Sequence, residues 1–280
     1  MKIATIRRTN ATATIVVDSP TTGRLIPGIS SVQELLQLPS WRTIAESASQ
    51  LVHFAPQDLA PVIPRPEKII CVGLNYAQHI REMGRELPEV PTLFIKFADA
   101  LTGPFDTVTI PVSAASCLDA EAELAVIIGS TAHRVSAEEA HSHIAGYALM
   151  NDYTQRDWQR RTLQFHQGKS YFRSSGFGPW MTTADAFDPT RAHRLTCHWD
   201  QELFQEGSTD DLIFSCAELV SFCSQIYPLN PGDVIATGTP HGVGFAREPQ
   251  RFIRSGQTVR IAIEGLGEIA NRTVIVPDTQ

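Results

Sequence analysis

The segment Leu118-Asp119-Ala120-Glu121-Ala122-Glu123-Leu124-Ala125-Val126-Ile127-Ile128-Gly129 makes two opposed demands on one stretch of chain, burial and charge. Side chains alternate faces along a strand, so Leu124, Val126 and Ile128 share one face while Glu121 and Glu123 share the other. The two carboxylates then lie about 7 Å apart at the backbone. Like charges this close at the end of an apolar strand repel one another, and burial strengthens the repulsion unless a cation sits between them. A solvated strand edge would accommodate the same pair at little cost. The chain must therefore build a sheet around residues 121–128 whose end is either wet or holds positive charge.

A third carboxylate favours the cation. Asp152 closes the apolar stretch Tyr147-Ala148-Leu149-Met150-Asn151, a second strand whose end can meet the first. Three carboxylate oxygens, completed by water and substrate, suit Mg²⁺ or Mn²⁺ better than zinc, which favours His and Cys. Upstream, His79 and Glu82 stand three residues apart on one face of a short helix that Asn75 is placed to cap. A carboxylate beside an imidazole fixes its tautomer and raises its basicity, as water activation near neutral pH requires, although an exposed i,i+3 pair is the commoner meaning of such a spacing. Lys169 follows Gly168, which lets backbone approach a ligand closely, and the glycine-rich run Gly232 to Gly244 offers N–H groups suited to a carboxylate. His166 and His241 lie near these segments, whereas His141 and His143, two apart at a helix end, read as surface residues.

Around these residues the chain divides in two. Residues 1–65 read as a small α+β unit, with strands at Lys2 to Arg7 and Ala13 to Val17 and helices near Val32 to Leu38 and Trp41 to Val52. Pro56, Pro61, Pro64 and Pro66 mark an extended connector, and residues 66–280 form a larger, strand-rich unit. Its strands are expected at Lys68 to Gly73, Thr92 to Lys96, Glu121 to Ile128, Gly146 to Asn151, Leu195 to Trp199, Val234 to Ala236 and Thr258 to Ile263. One helix, Ile213 to Ile226, follows the cap candidates Thr209, Asp210 and Asp211 and repeats Phe214, Ala217, Val220 and Cys223 as a core stripe.

Several function classes drop out. With 23 Lys and Arg against 30 Asp and Glu, the net charge is −7, and no block of like charge offers a phosphate-binding face, so nucleic acid is not an expected partner. The longest apolar run is far short of the roughly 20 residues of a membrane span, and the first residues lack a secretory h-region, so a cytoplasmic protein is expected. The five cysteines are scattered and without a Cys-x-x-Cys pair, which reads as reduced thiols. Neither a Gly-x-Ser-x-Gly elbow nor a phosphate loop is present.

Taken in order, Gly73-Leu74-Asn75-Tyr76 with His79 and Glu82, Glu121-Ala122-Glu123-Leu124, Asn151-Asp152-Tyr153-Thr154-Gln155-Arg156-Asp157, Gly168-Lys169-Ser170 and Thr237-Gly238-Thr239-Pro240 resemble the fumarylacetoacetate hydrolase family over about residues 65–275. Gln155 in place of a small residue, and Tyr171-Phe172-Arg173 after the lysine motif, depart from the family pattern. The resemblance implies an α+β fold with a mixed β-roll or sandwich catalytic domain, a homodimer, and Mg²⁺ or Mn²⁺ held by Glu121, Glu123 and Asp152. It further implies catalytic roles for His79, Glu82 and Lys169, and substrate contacts from Arg156, Gln159 and Thr239. The expected reaction is hydrolytic cleavage of the carbon–carbon bond of an acylpyruvate, such as fumarylpyruvate or maleylpyruvate from aromatic-compound degradation, to pyruvate and a second acid. Decarboxylation of oxaloacetate and isomerisation of 2-hydroxyhepta-2,4-diene-1,7-dioate use the same enolate, and a non-catalytic metal-dependent binding protein is the reading from another class.

Overall fold

Strand-forming patterns dominate the chain, and the computed structural model, which describes residues 1–77, 80 and 86–278, gathers them into two main sheets. In chain order the strands are β1 (Lys2–Arg8), β2 (Ala11–Ser19), β3 (Thr22–Ile26), β4 (Gln50–His53), β5 (Ile69–Gly73), β6 (Thr92–Ile95), β7 (Leu101–Thr102), β8 (Val108–Pro111) and β9 (Leu118–Asp119). They continue as β10 (Ala122–Ile128), β11 (Ile144–Asn151), β12 (Thr154–Gln155), β13 (Ser175–Thr183), β14 (Arg194–Trp199), β15 (Glu202–Ser208), β16 (Val234–Ala236), β17 (Thr258–Ile263) and β18 (Gly267–Val276).

The large sheet runs β4-β3-β2-β1-β13-β11-β10-β16-β5-β6, with β7 beside β13. Its pairs are antiparallel except β16 with β5 and β13 with β7. The second sheet runs β15-β14-β17-β18-β8, and β9 pairs with β12 as a short ribbon. Mixed pairing with few helices is the α+β architecture expected from the sequence.

Alternation along the central strands divides the core. From β10, Leu124, Val126 and Ile128 pack with Leu195, Val259 and Ile261 of the second sheet and with Leu219 and Val220 of the helix Cys216–Ile226. Ala125 and Ile127 point the other way, into a core shared with Leu35 of the helix Val32–Leu36 and with Trp41 of the helix Trp41–Glu46. Each fully buried aliphatic side chain contributes about 1.5–3 kcal/mol. The N-terminal strands extend the same sheet as the central ones, because β1 pairs with β13.

Three expectations need correction. The second N-terminal helix ends at Glu46, and Gln50–His53 is instead an edge strand on β3. As an edge it buries little, so it carries no alternation to distinguish it from the end of a helix. The helix expected from Ile213 begins at Cys216, capped by Ser215, whose Oγ accepts from the Glu218 amide while the Glu218 carboxylate accepts from the Ser215 amide. Thr209–Asp211 form a separate 3₁₀ turn. β3, β8, β13, β15 and β18, and the two-residue strands β7, β9 and β12, were not expected.

Candidate active site

Antiparallel pairing of β10 with β11 puts Ala122 opposite Asn151, so the chain entering β10 meets the chain leaving β11. Their junction is closed by the Asp152 amide donating to the Glu121 carbonyl at 2.9 Å. Glu121, Glu123 and Asp152 thereby converge, with one carboxylate oxygen of each within 4.8 Å of the others, and all three are buried. The end of β16 closes a third side, where the Gly238 amide donates to Glu123 Oε2 at 3.2 Å. Gly238 has φ of 101°, and a Cβ there would meet the Val72 carbonyl oxygen at 2.9 Å, so only glycine brings this amide so close.

Three cations face the carboxylates. Lys169 Nζ, 1% exposed, lies 2.6 Å from Glu121 Oε2 and 2.7 Å from Asp152 Oδ2. Lys96 Nζ lies 3.0 Å from Asp152 Oδ1. Arg156 Nη2 lies 2.6 Å from Glu121 Oε1 and 2.8 Å from Asp119 Oδ2. Asp119 also accepts from the Gly244 and Phe245 amides, each at 2.9 Å. Glu123 forms no ion pair with any described cation. Burial, and then the charges of Asp152 and Glu121, push its carboxyl well above the ordinary range. For Asp152 burial acts the same way, but Lys169 and Lys96 outweigh it and hold the group ionised, below its ordinary value. Lys169 is held protonated because Asp152 and Glu121 outweigh the effect of its burial.

Four carboxylates (Asp119, Glu121, Glu123, Asp152) thus confront three cations (Lys96, Arg156, Lys169), and Glu123 is the one left without a cation among the described residues, which is why its carboxyl favours the proton. An all-oxygen donor set with surplus negative charge in a water-poor recess fits a divalent cation, which would be held by Glu121, Glu123 and Asp152.

Of the remaining expected residues, Arg156 and Thr239 contact the stretch of chain that carries Glu121 and Glu123. Arg156 Nη1 donates to Gln159 Oε1 at 3.1 Å, linking those two side chains. Thr239 Oγ1 donates to the Ala122 carbonyl at 3.0 Å, which puts it beside the strand that carries both glutamates. His166 meets the Phe97 ring edge-on at 5.9 Å, and His241 is half-buried. His79 and Glu82 lie outside the described residues. Four cysteines are buried, Cys117 is half-buried, and all are free thiols.

Sequence reasoning missed three residues. Asp119 stands two before Glu121, so the alternation that pairs the glutamates already placed it on their face. Lys96 directly follows an apolar strand, where a lysine ordinarily turns to solvent. Gln205 had no signal, since β15 was not expected; its Oε1 accepts from the Ala122 amide and its Nε2 donates to Thr239 Oγ1 at 2.7 Å, pinning β10 to the loop after β16.

Residues 68–274 match the family model described as fumarylacetoacetate (FAA) hydrolase C-terminal. Over 218 residues the chain is 40% identical to the mitochondrial oxaloacetate tautomerase FAHD2B of Bos taurus, an alignment covering 77% of this chain and 69% of that protein. Over 250 residues it is 38% identical to the oxaloacetate tautomerase YisK of Bacillus subtilis, covering 88% and 83%. Its structure resembles that of the fumarylacetoacetate hydrolase from the psychrophile Exiguobacterium antarcticum, with a TM-score of 0.88, 32% identity, and 99% and 100% of the two chains covered.

Proposed function

Since the chain belongs to the fumarylacetoacetate hydrolase family, we propose that it is a metal-dependent enzyme acting on small α-oxo acids, and that it interconverts the enol and keto forms of oxaloacetate. The observation that carries this reading is the buried carboxylate triad flanked by Lys169 and Arg156. Mg²⁺ or Mn²⁺ bound there would supply Lewis acidity toward the carboxylate and oxo oxygens of an α-oxo acid. In the enol-to-keto direction the enol oxygen loses its proton, the carbon–oxygen double bond re-forms, and C3 takes up a proton, so the net change is one proton relocated.

The protein's own groups divide that task. Lys169, held protonated, would stabilise negative charge on the C2 oxygen as the enol proton leaves. Arg156 and Gln159, already joined, would orient a substrate carboxylate, and Thr239 would hold the far side from the loop after β16. His79 and Glu82, the pair that the family resemblance marks as catalytic, would carry the proton to and from C3.

Acylpyruvate hydrolysis is the second reading. The His79–Glu82 pair favours it, because the group that moves a proton at C3 can equally take one from water attacking the distal carbonyl. The family resemblance also implies a homodimer, and the proline-rich connector implies a division near residue 65; sedimentation tests the first and limited proteolysis the second.

The deciding experiment follows the ultraviolet absorbance of enol-oxaloacetate with purified protein in Mn²⁺ or chelator, alongside product analysis with oxaloacetate and fumarylpyruvate. Metal-dependent acceleration of enol decay without pyruvate is the expected result. Pyruvate and CO₂ from oxaloacetate would make the protein a decarboxylase, and pyruvate from fumarylpyruvate alone would make it the hydrolase. No effect on any of these would overturn the enzyme reading.

A further inference from the structure

Lys96 stands one residue beyond β6 with its side chain wholly buried, and it belongs to none of the motifs that mark the site. Its amide donates to the Ile69 carbonyl at 3.1 Å, which fixes its backbone to β5. Its ammonium donates to Ser175 Oγ at 2.9 Å and to the main-chain carbonyl of Lys169, and it lies 3.0 Å from the acceptor Asp152 Oδ1 as an ion pair. These acceptors come from three separate elements, the end of β11, the start of β13 and the end of the helix His166–Lys169.

We propose that Lys96 is a positioning residue for the cation site. It acts on two groups at once. On Asp152 it holds Oδ1 while Lys169 holds Oδ2, so two ammonium groups stop the carboxylate from rotating. On Lys169 it holds the peptide carbonyl, which sets the point from which that side chain reaches between Glu121 and Asp152. Ser175 supplies the third anchor and is itself buried.

Positioning and bare charge change metal affinity in opposite directions. A buried positive charge beside a cation site repels the cation, so charge alone requires that removing Lys96 tighten metal binding. Positioning requires the reverse, because an unrestrained Asp152 must be ordered when it ligates. Loss of outer partners of ligating groups typically weakens metal affinity by about 10–100-fold.

The inference rests on Glu121, Glu123 and Asp152 holding a divalent cation and is independent of which oxo acid is turned over. The test is therefore Mn²⁺ affinity of the full chain, read from the electron paramagnetic resonance signal of free Mn²⁺, for wild type, Lys96→Met, Asp152→Asn and the double variant. Lys96→Met keeps the side-chain volume and is expected to bind Mn²⁺ about 10-fold or more weakly, in the range typical of outer-shell partners. The double variant is expected to bind no worse than Asp152→Asn, since Lys96 then has no ligating carboxylate left to restrain. A purely structural lysine would instead give losses that add. Should Lys96→Met not fold, Ser175→Ala keeps the charge and removes one anchor, and a smaller loss in the same direction is expected. Wild type that binds no Mn²⁺ overturns the metal reading itself. Wild type that binds, with Lys96→Met or Ser175→Ala binding equally or more tightly, overturns only the role of Lys96.

Discussion

Glu123 is the costly charge of the cluster, because it accepts a Gly238 amide but pairs with no described cation. Its carboxyl value is raised in the folded protein, so the folded state binds the proton more tightly than the unfolded state does. Stability in chelator should therefore fall as pH rises through the range above about 4.3, the ordinary Glu value. Glu123→Gln keeps the shape and removes the charge. It is expected to abolish Mn²⁺ binding and turnover yet to melt higher than wild type in chelator at pH 7, with a gap that closes toward pH 4. A scanning-calorimetry series in EDTA checks this, and a lower melting temperature for the variant at pH 7 would contradict it. Glu121, Glu123, Asp152 and Lys169 could be singled out from local patterns in the sequence, and Arg156 through the family resemblance. Lys96 and Gln205 could not, since their partners lie 56 and 83 residues away for Asp152 and Ala122 respectively, and only the fold brings them together.

Between elements, one glycine sets how closely the two sheets approach. A Cβ on Gly176 in β13 would collide with Asn271 Oδ1 of β18, and Asn271 is fully buried with its Nδ2 donating to the Gly103 and Asp106 carbonyls at 3.0 and 2.8 Å. Gly176→Ala must displace that amide or separate the strands, at a cost of about 2–4 kcal/mol from overpacking and lost buried hydrogen bonds. Urea denaturation should show a lower midpoint with an unchanged slope; an unchanged midpoint would refute the account. Legibility at this scale followed burial. β10, β16 and β17 could be read because they are central or alternate cleanly. β15 is an edge strand with a polar sequence, and β13 carries Gly176, Gly178 and Pro179, which read as turn residues although the strand runs through them.

At the scale of the whole molecule, an ion pair ties the N-terminal strands to the turn before β8. Arg7 Nη2 lies 2.6 Å from Asp106 Oδ2, and Thr102 Oγ1 and the Gly103 amide donate to the same oxygen at 2.8 Å. Burial pushes the Asp106 carboxyl up, but these donors outweigh it and hold it below the ordinary value. A depressed carboxyl contributes stability above its unfolded value of about 3.9 and loses it as pH falls through the folded value. Asp106→Asn should therefore melt lower than wild type at pH 7, and the two should converge as pH falls through the lowered folded value. A constant gap at all pH values would show that the pair's charge is irrelevant. That β1 joins β13 was not legible, because nothing in either strand's composition names its partner across more than 170 residues.

β10 is hydrogen-bonded on both flanks, with Ala125 opposite Ala148 on one side and Ala236 on the other. One residue gained or lost between Asp119 and Ile127 would exchange the faces of the strand, sending carboxylates into the aliphatic core and aliphatics into the acidic recess. The one irregularity in its pairing with β11 falls at Ile127 and Ile128, at the end remote from the glutamates. For a gene encoding this strand, substitution is an open route of change and insertion is not, so divergence in length must be sought in the loops while the spacing of Glu121, Glu123 and Leu124 stays constant.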